Sequence, residues 1–150
     1  MLGSRTIGAR VLDLYAGTGA IGFEALSRGA NEAVFVESQP RVAQRITALA
    51  DELGIERWRA RVVTARAERA VERLEGRFDV VFADPPYAQG VPPRVFSRLH
   101  ERGLVDERSL VVYEHSSRTQ AGAPTGYAIE RREAYGEVAL TFLRPEPLVS

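Results

Sequence analysis

Residues 11–22 read VLDLYAGTGAIG, an apolar run that breaks at a glycine-bearing turn and resumes in a helical pattern. A short strand, a tight turn and a helix in that order make the opening unit of a parallel sheet. Gly17, Gly19 and Gly22 match the loose G-x-G-x-x-G spacing, which permits a sharp turn and close approach of backbone to a ligand. That spacing alone fits a purely structural turn, a dinucleotide site or a site for an aminoacyl nucleoside. Asp13 bears on the choice. A carboxylate at the edge of the turn disfavours a pyrophosphate and favours a ligand with an amine and a sulfonium, as in S-adenosylmethionine.

Strand and helix signals alternate outward from this turn. Strands are expected in ARVLDLY (9–15), EAVFVE (32–37), RARVV (59–63), FDVVFA (78–83) and RSLVVYEHS (108–116). Between them, Ala20 to Arg28 reads as a helix stopped by Gly29, and Val42, Ile46, Leu49 and Leu53 recur at helical spacing up to Gly54. Ala67, Ala70, Val71 and Leu74 form a smaller stripe, and Val95, Phe96 and Leu99 share one face of a helix over Pro93 to Arg102. The tail, 127–145, reads as two strands joined near Tyr135-Gly136. Such alternation implies a mostly parallel sheet with helices on both faces, closed by an antiparallel element at one edge.

A chain of 150 residues fits one domain over 1–150 and can bury roughly 70% of its unfolded surface. It contains no cysteine, which excludes disulfides, thiolate metal sites and cysteine nucleophiles. No apolar stretch approaches the ~20 residues that span a bilayer, and no signal-peptide pattern opens the chain, so a cytoplasmic location is expected. Its 20 basic and 20 acidic side chains balance, which argues against a grip on nucleic acid by bulk charge. All the basic residues are arginine, so no lysine can be catalytic.

In a parallel sheet, ligands bind beyond the carboxyl ends of the strands. The glycine turn, Glu37 and Asp84 fall on that rim. Glu37, at the tip of the second strand, can accept hydrogen bonds from vicinal ribose hydroxyls; otherwise it caps the helix that Pro40 starts. After the third strand, VVTARAE (62–68) offers only Thr64, Arg66 and Glu68 as polar partners for an adenine. Backbone groups, with Val63 and Ala65 beside the ring, are the other possibility. The candidate cofactor contacts are therefore Asp13, Tyr15, Ala16, Gly17, Thr18, Gly19, Glu37, Ser38, Thr64 and Ala65.

The reacting half of the site is read from Asp84-Pro85-Pro86-Tyr87, which ends the fourth strand. An exocyclic amine of a nucleobase is a poor nucleophile because its lone pair is delocalised into the ring. Asp84 can accept one N–H and the Pro85 carbonyl the other, favouring a pyramidal nitrogen as positive charge develops. Pro85 and Pro86 fix φ, so the carbonyl is aimed before the base arrives. Tyr87 offers a ring on which the base can stack, worth roughly 1–3 kcal/mol. Transfer from a sulfonium needs neither a metal nor a covalent intermediate. Without its context the tetrad could equally be a strand terminator with a surface aspartate.

These stretches resemble the small bacterial methyltransferases of 16S ribosomal RNA that make N2-methylguanosine. The resemblance rests on VLDLYAGTGAIGFEALSRGA, AVFVE, FDVVFADPPY, LVVYE and YGEVALTFL, spread over roughly 10 to 143. It implies a Rossmann-like class I methyltransferase with a seven-stranded sheet and one antiparallel strand. It also implies S-adenosylmethionine as cofactor, and as substrate a guanine of 16S rRNA within the small ribosomal subunit or its assembly intermediate. A monomer is expected.

By similarity, Asp84 and the Pro85 carbonyl hold guanine N2 and Tyr87 stacks near it. Asp13 and the turn from Ala16 to Gly19 hold the methionine part, and Glu37 holds the ribose. Glu114 matches a family glutamate at the end of strand five; a solvent carboxylate is its other reading. Relatives carry a longer basic segment before the first strand, where this chain has Met1 to Ala9, so it reads as short or truncated there with a weaker grip on RNA. VVTARAE lacks the acid or amide that relatives place at the adenine pocket, which implies reduced cofactor affinity.

Three competing functions remain. An adenine-N6 or other exocyclic-amine methyltransferase would keep the chemistry, but a DNA enzyme of that type needs room for target recognition and base flipping. A Rossmann-type oxidoreductase is disfavoured by Asp13, by the tetrad and by the lack of a hydride-relay pair, since the histidines are His100 and His115. A non-catalytic binding subunit is disfavoured by the intact tetrad.

Overall fold

Strands whose sequences lack alternation become the middle of the sheet, because both of their faces are covered. The computed structural model describes residues 3–86, 90–119 and 122–148. After a 3-10 turn at Gly3–Thr6 come β1 (Arg10–Asp13), α1 (Ala20–Ser27), β2 (Glu32–Glu37), α2 (Pro40–Glu52), β3 (Ala60–Thr64) and α3 (Ala67–Arg73). Then follow β4 (Val80–Ala83), α4 (Pro93–Glu101), β5 (Leu110–Ser116), β6 (Tyr127–Tyr135) and β7 (Val138–Pro145).

The seven strands lie in the order β3-β2-β1-β4-β5-β7-β6. β1 through β5 pair in parallel, and β7 runs antiparallel between β5 and β6. This is the Rossmann-like class I methyltransferase fold, with one reversed strand. Its order switches direction between β1 and β4, the place where open sheets of this kind leave a crevice.

Alternate residues of each strand feed two cores. Leu12, Val34, Val81, Val111 and Leu143 pack against Val71 of α3 and Val95 and Leu99 of α4. Val11, Phe35, Val80, Phe82, Val112 and Phe142 pack on the other face with Ala25 and Leu26 of α1 and Ile46 and Ala50 of α2. Among the described residues, no helix is long and apolar enough to cross a membrane.

α2 corrects one sequence expectation. It buries Ala43, Ile46 and Ala50, whereas Leu49 and Leu53 are 37% and 59% exposed. Residues spaced three and four apart around Ile46 define two overlapping stripes, and the smaller side chains occupy the close approach to the sheet.

α1 meets the sheet closely at Gly22, where a Cβ would lie 2.3 Å from Cε2 of the fully buried Phe35. Phe35 is also in ring contact with Phe23, centroids 4.9 Å apart, which leaves it little freedom to move aside. Gly22→Ala gains about 1 kcal/mol of helix propensity, against an overpacking cost of about 1–3 kcal/mol. A net loss of up to about 2 kcal/mol is expected on that balance, read as a lower urea midpoint with an unchanged slope. An equal or higher midpoint would show that α1 rides over the ring without strain.

Candidate active site

β1 enters a turn that crosses the tip of β2. The Leu14 amide donates to the Phe82 carbonyl at 2.9 Å and the Ala16 amide to the Val36 carbonyl at 2.9 Å, so the turn is fastened to both neighbouring strands. Gly17 and Gly19 take φ of +55° and +82°, a region costly for residues with a Cβ. Glu37 latches the turn from β2: its Oε1 accepts the Gly17 amide at 3.0 Å and its Oε2 the Gln39 amide at 2.9 Å. Each oxygen keeps a lone pair for a further donor.

A cleft of about 690 Å³ opens above this rim, within the range of small-molecule sites. Tyr15, Ala16, Gly17, Thr18, Glu37, Ser38 and Ala65 lie on its wall, as do Asp84, Pro85 and Pro86. The structure thus brings together most of the residues singled out in the sequence. Three of the candidate cofactor residues, Asp13, Gly19 and Thr64, are not on that wall. Gly19 is buried as the N-cap of α1, Thr64 is exposed on the edge strand, and Ala65, Arg66 and Ala67 take its place. Tyr87 lies outside the described residues. Val42 and Ile21 complete the apolar part of the wall, and sequence reasoning passed over both because each reads as an ordinary helix position.

Asp13 sits beneath the turn. It is 3% exposed, accepts the Gly22 amide at the start of α1, and its Oδ2 has no hydrogen-bond partner among the described residues. Burial raises its carboxyl from 3.8 to about 7 against the opposing pull of the Gly22 amide, and the charges of Asp84 and Glu37 push the same way as burial. The first turn of α1 therefore spends an amide on the protein's own carboxyl group instead of offering it to a phosphate.

Strand parity explains why these acids share a rim. Asp13 is registered with Phe35 and with Phe82, and Phe82 with Val112. Two residues beyond those partners stand Glu37, Asp84 and Glu114, so all of these carboxyl groups project from the face that α1 covers.

Asp84 and Pro85 belong to two hollows at once. Besides the cleft, they line a second one of about 380 Å³ bounded by Tyr113, Glu114, His115 and Ser116 of β5 and by Glu137 and Val138 at the β6–β7 hairpin. Gly90 closes part of it with φ of +80°, and a Cβ there would meet the Tyr113 hydroxyl at 1.9 Å. That hydroxyl also accepts the Val91 amide at 3.4 Å, so the segment after the tetrad returns to β5 at a place only glycine fits. Glu114 is half-buried, and its carboxyl is raised by burial and then by the neighbouring Asp84, with which it is in hydrogen-bond contact.

A family model described as "Conserved hypothetical protein 95" matches residues 1–144. The chain belongs to this family. Among curated relatives it is 31% identical over 140 residues to "Putative rRNA methyltransferase YlbH" of Bacillus subtilis (strain 168), covering 91% of this chain and 76% of that protein. It is 29% identical over 143 residues to "Ribosomal RNA small subunit methyltransferase D" of Escherichia coli (strain K12), covering 93% of this chain and 70% of that one. Among solved structures, a conserved hypothetical protein of Streptococcus pyogenes superposes with a TM-score of 0.84 at 34% identity, over 93% of this chain and 88% of that chain. Family and fold together place this protein among the class I methyltransferases.

Proposed function

We propose that the protein transfers a methyl group from S-adenosylmethionine to the exocyclic N2 amine of a guanine in small-subunit ribosomal RNA. The observation that carries the reading is that Asp84 and Pro85 form the common wall of two hollows, one suited to the cofactor and one to a base. S-adenosylmethionine supplies an electrophilic methyl carbon on a sulfonium.

The cleft fits that cofactor on three counts. A Cβ at Gly17 would meet nothing within 4 Å, so the turn leaves room for a ligand against its backbone. The half-paired Asp13 carboxyl group lies beneath, where an ammonium or sulfonium lowers its cost and a pyrophosphate raises it. Glu37 is held by two amides with lone pairs to spare for a ribose diol.

In this reading Asp84 accepts one N–H of the base amine and the Pro85 carbonyl the other. The nitrogen lone pair is thereby turned toward the methyl carbon, and the carboxylate offsets positive charge as the new N–C bond forms and the S–C bond breaks. The proton then released from nitrogen passes to Asp84 or to water. The ribosomal substrate is supported by what the two curated relatives are named for.

The test incubates the protein with radiolabelled S-adenosylmethionine and unmodified 30S subunits, naked 16S RNA or DNA, followed by digestion to nucleosides. N2-methylguanosine from the ribosomal substrate is expected. Label recovered as N6-methyladenosine would replace guanine by adenine in the proposal. Failure to bind S-adenosylmethionine by calorimetry would remove it entirely.

A further inference from the structure

Glu114 lies within β5, registered with Leu140 of β7, and is half-buried beside Asp84. The reason is register. Ala83 of β4 pairs with Tyr113 of β5, so the next position brings Asp84 beside Glu114 as β4 ends and β5 continues. Asp84 lines both hollows, whereas Glu114 lines only the smaller one, on the side away from the cofactor cleft. Two carboxyl groups in contact repel each other when both are ionised, and burial followed by the neighbouring Asp84 raises the Glu114 carboxyl above the ordinary carboxylate range. Such an arrangement is costly to keep and is relieved by a ligand that brings two adjacent donors.

Guanine has that edge. Its N1–H and N2–H groups point the same way from neighbouring atoms, whereas adenine sets an acceptor, N1, beside its amine. On the reading that Asp84 holds the reacting amine, we propose that Glu114 is a specificity-determining residue that accepts the N1–H of the same guanine. Gly90 and Tyr113 line the same hollow beside this carboxyl pair. Against adenine or 2-aminopurine, the ionised Glu114 opposes a ring nitrogen lone pair, a mismatch that costs more than a missing contact.

The experiment compares the wild type, Glu114→Gln and Glu114→Asp in single-turnover methyl transfer to unmodified 30S subunits. Matched subunits carry 2-aminopurine in place of the target guanine; this base keeps the N2 amine and lacks N1–H. Wild-type transfer to guanine is expected to exceed that to 2-aminopurine by about 100-fold, and Glu114→Gln to shrink that preference by about 10-fold or more, because its amide can donate to N1. Glu114→Asp, which withdraws the carboxylate, is expected to lose rate on guanine without gaining on 2-aminopurine. S-adenosylmethionine affinity, measured by calorimetry on each variant, is expected to be unchanged.

An equal preference in wild type and Glu114→Gln overturns the inference, as does a Glu114→Gln variant that no longer binds cofactor, since the residue would then be supporting the cleft. If the wild type makes no N2-methylguanosine at all, the failure lies in the proposed function. If it does and the preference is indifferent to position 114, only the role of Glu114 fails.

Discussion

Asp84→Asn is expected to slow methyl transfer by about 100- to 1000-fold, the range seen when one preorganised electrostatic contact to a transition state is removed. Asparagine keeps the shape of the side chain and one acceptor oxygen, so the base can still be placed. What it loses is the negative charge facing a nitrogen that becomes positive as the methyl arrives, an interaction stronger in the transition state than in the ground state. Asp84 is exposed at the shared wall of the two hollows and an asparagine there can still meet the half-buried Glu114, so the fold is expected to keep its stability. Single-turnover rates under saturating cofactor, with calorimetric cofactor affinity alongside, separate the chemical step from binding. Asp84→Ala, which also removes the acceptor, is expected to be slower still. Transfer by the asparagine variant at the wild-type rate would leave the Pro85 carbonyl and simple proximity as the whole catalytic device.

Asp13→Asn is expected to raise the stability of the cofactor-free protein at high pH and to leave it nearly unchanged at low pH. Asp13 loses its proton near 3.8 when unfolded and near 7 when folded, chiefly because burial disfavours the charge. Between those values the folded state binds more protons than the unfolded one, so stability falls as pH rises through the window. The difference between the unfolded and folded values corresponds to roughly 4 kcal/mol once pH exceeds 7.

Asparagine carries no charge to bury and can still accept the Gly22 amide. The stability difference between variant and wild type should therefore grow from near zero below about pH 4 to roughly 3–4 kcal/mol above pH 7. Urea unfolding at several pH values reads it directly. A difference independent of pH would mean that the Asp13 carboxylate is solvated in the folded protein. The same substitution is expected to weaken S-adenosylmethionine binding above pH 7, because it removes the buried negative charge under the cleft. Stability lost at Asp13 and affinity gained there have one origin.

Much of the site could be read along the chain because parallel sheets collect their ligands at strand ends. Glu37, Asp84 and Glu114 each follow a two-residue step from a core aromatic or aliphatic (Phe35, Phe82 and Val112), and period-two alternation is a local property. The tetrad announced its strand end through prolines that cannot extend a ladder. Thr64 stands off the cleft wall because the rim after β3 is set by where the chain leaves the sheet, and the wall begins one residue later. Leu49 and Leu53 went astray because helical periodicity gives spacing without stating which stripe faces the sheet.

The amino-acid sequence by itself determined the alternation of strands and helices, the parity of each strand and the conformational stiffness of the glycine and proline turns, since these depend on neighbours along the chain. Only the tertiary structure decided which strands lie side by side. β4 between β1 and β5 puts Asp84 next to both Asp13 and Glu114, and β7 between β5 and β6 brings the hairpin to the edge of the smaller hollow. Interstrand pairing follows from the burial of whole apolar faces, summed over residues far apart in sequence. The perturbed carboxyl groups, which arise from contacts across strands and from burial beneath α1, appear only once that packing is complete.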